Sequence, residues 1–167
     1  KKVEEFGSKP SGLWYSEGIE WIEFVINEFE LARASGTEIF VVKLNDNFKL
    51  LKVGLNENNK SSDMQMSYLD FTLKYNTKNI KNINNFKSDN NKYMYQSGDP
   101  IRIDWVKVID DGYDGIEFNT ECKEYIQRIF YWYTGIDINS GCVFNVKKIA
   151  LEYIGDLVDI ERKIGSK

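Results

Sequence analysis

The chain has 167 residues, 42% hydrophobic and 29% charged, with a formal net charge of −4, a profile that suits one soluble domain with a core of its own. It contains no His, which excludes Ser–His–Asp triads, Cys–His dyads and His-ligated metals within it, and its acidic balance argues against nonspecific nucleic-acid binding. No apolar stretch reaches membrane-spanning length, no cationic-then-apolar leader opens the chain, and Cys122 and Cys142 lack metal-ligand spacing, so a reduced cytoplasmic protein with neither metal nor membrane partner is expected.

The first predicted element is the stretch Lys9-Pro10-Ser11-Gly12-Leu13-Trp14-Tyr15-Ser16. Pro10 fixes its own φ and pushes Lys9 toward extended backbone, so a turn leads into a short strand. Gly12 permits a positive φ or a close approach to the backbone. In extended geometry Trp14 opposes Leu13 and Tyr15, and Ser16 suits the cap of a following helix, whose free N–H groups favour anions. The plainer alternative is a buried strand with a capped helix. Residues 19–34 read as that helix, with Ile19, Ile22, Val25, Ile26 and Phe29 at helical spacing, Trp21 and Phe24 widening the apolar face, and Gly36 placed to end it. A well-buried helix is expected.

Residues 37–44 read as a strand, 45–47 as a turn, 48–53 as a second strand or short helix, and 56–63 as a polar loop. Residues 66–75 fit helix or strand. Residues 76–91, rich in Asn and Lys, predict a solvated, mobile insertion. Asp99-Pro100 marks a helix start or turn, and residues 103–110 a short helix ending near Gly112. Tyr113-Asp114-Gly115-Ile116-Glu117-Phe118 then enters a strand that puts Asp114, Ile116 and Phe118 on one face and Glu117 on the other. A pocket carboxylate here would stabilise a developing cation or position a hydroxyl, and an exposed strand charge is the plainer alternative. Asn119 or Thr120 caps a predicted helix running through Tyr133 and closed by Gly135. Residues 140–144 and 148–157 complete the strands. Trp132-Tyr133 with Asp137, Ser140, Gly141 and Cys142 forms either a concave wall or an ordinary helix-to-strand connection. Cys142, beside Val143 and Phe144, reads as buried packing. The strands are too irregularly interspersed for repeated βαβ units, so one mixed α+β domain over residues 1–167 is expected. The chain does not open on Met, so a larger polypeptide is expected.

Gly12-Leu13-Trp14-Tyr15-Ser16 followed by an aromatic-rich helix resembles the second motif of ADP-ribosyltransferase folds, and Tyr113-Asp114-Gly115-Ile116 with the later Val143-Phe144-Asn145 strand resembles their second half. The resemblance implies a split, mostly antiparallel sheet, NAD as substrate, and transfer of ADP-ribose to a protein or nucleic-acid acceptor, in the manner of bacterial or phage toxins and effectors, including delivery into a host cell. By the same resemblance Gly12, Trp14, Tyr15, Ser16 and Ser140 contact NAD, Tyr15 stacking on nicotinamide. The last strand of such domains often carries the catalytic carboxylate. Ser140-Gly141-Cys142-Val143-Phe144-Asn145 has none, which leaves Glu117 or Asp137 for the role. No Arg or His precedes the Gly-Leu-Trp motif, where only Lys1, Lys2 or Lys9 stands in for it. These departures favour the alternative of a noncatalytic nucleotide- or protein-binding module on the same fold; a third reading, a structural or capsid-associated protein, takes every aromatic as core.

Overall fold

In this computed structural model, which describes residues 9–28, 37–54, 64–82, 86–89, 92–95, 101–120 and 123–164, helices and strands follow one another without a repeat. They are β1 (Leu13–Ser16), α1 (Glu20–Glu28), β2 (Glu38–Leu44), β3 (Leu50–Val53), β4 (Gln65–Met66), α2 (Tyr68–Tyr75), β5 (Phe86–Asp89), β6 (Lys92–Tyr95), α3 (Trp105–Asp110), β7 (Gly115–Phe118), α4 (Lys123–Ile129), β8 (Ser140–Val143), β9 (Ile149–Asp156) and α5 (Leu157–Ile164). Five strands form one sheet in the order β1-β8-β7-β3-β4. β8 runs antiparallel to both β1 and β7, whereas β3 runs parallel to β7 and to β4. β2 with β9, and β5 with β6, are separate antiparallel pairs. The fold is mixed α and β, its pairings mostly antiparallel and its sheets open.

Alternation along the central strands decides the two faces of the large sheet. Leu51, Ile116, Cys142 and Trp14 lie in one row across β3, β7, β8 and β1, with Val53 and Phe118 paired in the next. Five of them belong to the main core and half-buried Trp14 packs against it, together with Phe71 and Tyr75 of α2, Trp105 and Val108 of α3, and Trp132 and Tyr133. Trp132, only 1% exposed, has ring centroids of Phe71, Phe118 and Trp105 at 5.3, 6.1 and 6.2 Å. Its indole N–H donates to Thr72 Oγ1 at 3.0 Å, so the buried polar edge is satisfied. The aromatic richness of the chain is therefore largely core packing, each buried ring removing roughly 150–250 Å² from water.

Several sequence expectations are corrected here. α1 is not well buried: Ile22 is, but Ile19 and Trp21 are 44% and 51% exposed, and Trp21 stacks on Phe24 at 5.6 Å. Residues 29–36, with Phe29 and Gly36, lie outside the described residues, as do 55–63, 99 and 100. The helix expected through Tyr133 is interrupted at Phe130, whose φ of −114° and ψ of 111° are extended, and a 3-10 turn (Tyr131–Tyr133) follows. The break lets Phe130, Trp132 and Tyr133 all enter the core, where a continuous helix would spread positions 130 and 132 around its circumference. Trp132 and Tyr133 thus fill the interior and form no concave wall.

The Asn/Lys-rich segment is also not simply solvated. Asn76, 1% exposed, donates through its amide to the carbonyls of Thr72, Leu73 and Ile80 and accepts from the Ile80 N–H at 2.8 Å. The side chain thereby satisfies the Leu73 carbonyl at the end of α2 and both backbone groups of Ile80, and it adds to the bond that the Asn76 N–H already makes to Thr72, so a polar residue is the best occupant of a buried place. Farther along, Phe86 pairs with Tyr95 and Asp89 with Lys92. The ambiguous run 66–75 resolves into β4 and α2 because Ser67 caps the helix, its hydroxyl accepting from Asp70 N–H at 3.1 Å.

Candidate functional site

The opposite face of the sheet carries a second row. Register places Tyr15 on β1 opposite Gly141 on β8, Gly141 opposite Glu117 on β7, Glu117 opposite Lys52 on β3, and Lys52 opposite Gln65 on β4. Because position 141 has no side chain, the Tyr15 ring lies across β8 and occupies the space that a Cβ would need. Its hydroxyl donates to Glu117 Oε1 at 2.7 Å, although the two residues are 102 apart in sequence. Glu117 Oε2 faces Lys52 Nζ at 3.2 Å. The Glu117 side chain is 31% exposed and that of Lys52 50%, so the carboxylate is held from two sides yet open to solvent. Burial first, and the Glu117 hydrogen bond second, push the Tyr15 phenol far above its ordinary value, so it stays a proton donor throughout the physiological range. Such a group accepts a ligand hydroxyl or faces a developing positive charge while Tyr15 fixes its rotamer.

The other sequence candidates are placed differently. Asp137 is exposed on the connection into β8, where Lys123 Nζ donates to its backbone carbonyl at 2.8 Å and the Gln127 amide reaches its carboxylate at 3.4 Å. It is bound to α4 rather than to Tyr15. Gly12 packs against β8, and a Cβ there would strike the Val143 carbonyl. Its bareness serves strand contact. Trp14 turns to the core side, stacked on Phe118 at 6.3 Å and 17°, its indole N–H bonded to the Pro10 carbonyl at 3.2 Å, with the Lys9 ammonium 5.2 Å from the ring centre. Ser16 Oγ accepts the Trp21 N–H at 3.0 Å, the expected helix cap, and Ser140 lies opposite Ser16 at the start of β8.

Beside this strand end, Glu20 accepts the Asn139 N–H at 3.0 Å and its side-chain amide at 2.9 Å, while Asn139 Oδ1 takes the Thr120 N–H at 2.7 Å. This network fixes the entry of α1 to the ends of β7 and β8. Cys142 is free and fully buried, and burial pushes its thiol up to about 12, which agrees with a packing role. Sequence reasoning missed Lys52. The only signal was a cation between Leu51 and Val53 in a strand whose alternate residues are apolar.

Among the described residues no cluster of three or more metal-ligating side chains occurs, and no helix is long and apolar enough to cross a membrane. Comparison with known protein families, with curated proteins and with solved structures found no match.

Proposed function

We propose that the chain binds NAD over the sheet face bearing Tyr15, Glu117 and Lys52 and transfers its ADP-ribose to a macromolecular acceptor, a toxin- or effector-like activity on an ADP-ribosyltransferase-like fold. The observation that carries this reading is the 2.7 Å bond from the Tyr15 hydroxyl to Glu117 across Gly141, which joins the two motifs of the resemblance at one solvent-open carboxylate. In the transfer the bond from nicotinamide nitrogen to ribose C1′ breaks. Nicotinamide leaves with the bonding pair, and the acceptor nucleophile adds to C1′ and loses its proton. Glu117 would hold the ribose hydroxyl and face the charge developing at C1′, Tyr15 would keep that carboxylate aimed, and Lys52 would supply a cation to the pyrophosphate side.

The test is a calorimetric titration with NAD beside an assay of nicotinamide release. Wild type should bind and release nicotinamide. Glu117→Gln should lose about 10²-fold in release with binding retained, and Asp137→Asn should leave both unchanged. Binding without release by wild type would instead support the noncatalytic nucleotide-binding module, and no binding at millimolar NAD would end the reading.

A further inference from the structure

From the last turn of α2 to the middle of α3, remote in sequence from the Tyr15–Glu117 row, basic charge is concentrated. Residues 74–107 carry six Lys and one Arg against three Asp, a net +4, whereas the whole chain is −4 and the remainder −8. Charge segregation of this kind in an acidic chain marks a surface for a polyanion. Folding gathers part of it. The Thr77 N–H donates to the Arg102 carbonyl at 3.0 Å, and Asn76 bridges to Ile103, so the residues after α2 lie along those before α3. Asn79 takes a φ of 55°, which Asn tolerates, and with the Asn76–Ile80 bonds this turns the chain back toward α2. Lys74, Lys81 and Lys107 then line one open groove of about 370 Å³ with Leu73, Asn79 and Asp70.

The acidic neighbours are already engaged. Asp70 accepts the Ser67 hydroxyl at 2.7 Å, Asp104 caps α3 through the Lys107 N–H at 3.1 Å, and Asp111 takes Lys74 at 2.9 Å and the Tyr75 hydroxyl at 2.8 Å. Lys107 Nζ donates to the neutral Lys74 carbonyl at 2.8 Å, which aims its charge along the groove. Among the described residues neither Lys81 nor Lys107 is paired with a carboxylate. We infer that this groove binds the phosphodiester backbone of a single-stranded nucleic acid. An open groove lined by point charges suits successive phosphates better than one enclosed anion, and the sequence of the same basic stretch holds Phe86, Tyr93 and Tyr95, residue types on which unpaired bases stack.

The full-length chain is titrated, without NAD, into fluorescein-labelled oligothymidylate and followed by anisotropy. The expected result is a dissociation constant of roughly 1–100 μM at low salt, with a log–log salt slope of about −1.4, as the two lysines not held by a carboxylate give on a single strand. Lys81→Glu with Lys107→Glu should weaken binding about tenfold or more, and Lys81→Glu alone, which spares the Lys107–Lys74 contact, about threefold. Absence of binding by wild type, or binding unchanged by both variants, overturns the inference. So does displacement of the oligonucleotide by polyglutamate at equal charge, which would assign the groove to an acidic protein segment, or retention on phosphatidylserine vesicles without oligonucleotide binding.

Discussion

A methyl group at position 141 would enter the Tyr15 ring. Gly141→Ala should therefore push the ring off Glu117 and cost about 1–3 kcal/mol by overpacking, read as a lower melting temperature. Tyr15→Ala in the same chain should recover part of that loss. Asp114, 6% exposed, holds the turn before β7 together: it accepts from Lys49 N–H at 2.9 Å, Asn145 Nδ2 at 2.9 Å and Lys148 Nζ at 2.8 Å. Burial by itself would raise its carboxyl, and the Lys148, Lys49 and Asn145 contacts outweigh burial and hold it below the ordinary carboxylate value. A pKa lower in the folded than in the unfolded chain stabilises fully above about pH 4 and stops doing so as the pH falls through the folded value. Asp114→Asn should flatten the acid limb of a plot of melting temperature against pH and lower its plateau. Tyr15 and Glu117 were legible in the sequence as an aromatic and a carboxylate on strand ends. That they meet was not, because the meeting depends on β8 lying between their strands and on one missing side chain in it.

The elements divide by how local their causes are. β1, β2, β7, β8 and β9 were legible because alternation or β-branched content runs through each, and the end of α3 because Gly112, at a φ of 89°, closes it; the Asp104 cap at its start was not read from the sequence. The Asn76 turn was misread because composition reports mean polarity and says nothing of a single amide with four backbone partners. Asn76→Ala should cost roughly 1–3 kcal/mol in denaturant unfolding by leaving the Leu73 carbonyl and the Ile80 backbone groups without that partner. For α1 the apolar count was right and its burial wrong: spacing shows that a face exists, while only tertiary contact shows what covers it. Trp21→Ser should cost about 1–2 kcal/mol, less than the roughly 3–5 of a fully buried ring, since half of the residue already meets water and the rest stacks on Phe24. The break at Phe130 follows from three rings competing for one interior, a condition that no window on α4 contains.

At the scale of the molecule, the class, mixed α and β with mostly antiparallel pairing, was legible from the irregular mix of elements. Strand order was not, because no hairpin signal joins β1 to β8 or β3 to β7. That order has a consequence for synthesis. The two central strands of the large sheet, β7 and β8, come late in the chain, while β1, β3 and β4, made early, flank them. Among the described residues β1 pairs only with β8, and β2 waits for β9, roughly a hundred residues later in the chain. While the chain grows on the ribosome, Leu51 and Val53 therefore wait for β7, complete at Phe118, and Trp14 has no strand to settle against until Val143 has emerged from the exit tunnel and β8 can join the two halves of the sheet. A chain stopped just before Ser140 should be degraded by protease at concentrations that leave the 167-residue chain intact. One stopped after Val143 should regain protection of the large sheet while β2 still lacks its partner. Stalled-chain proteolysis at successive lengths would show this as a single late step rather than a gradual rise.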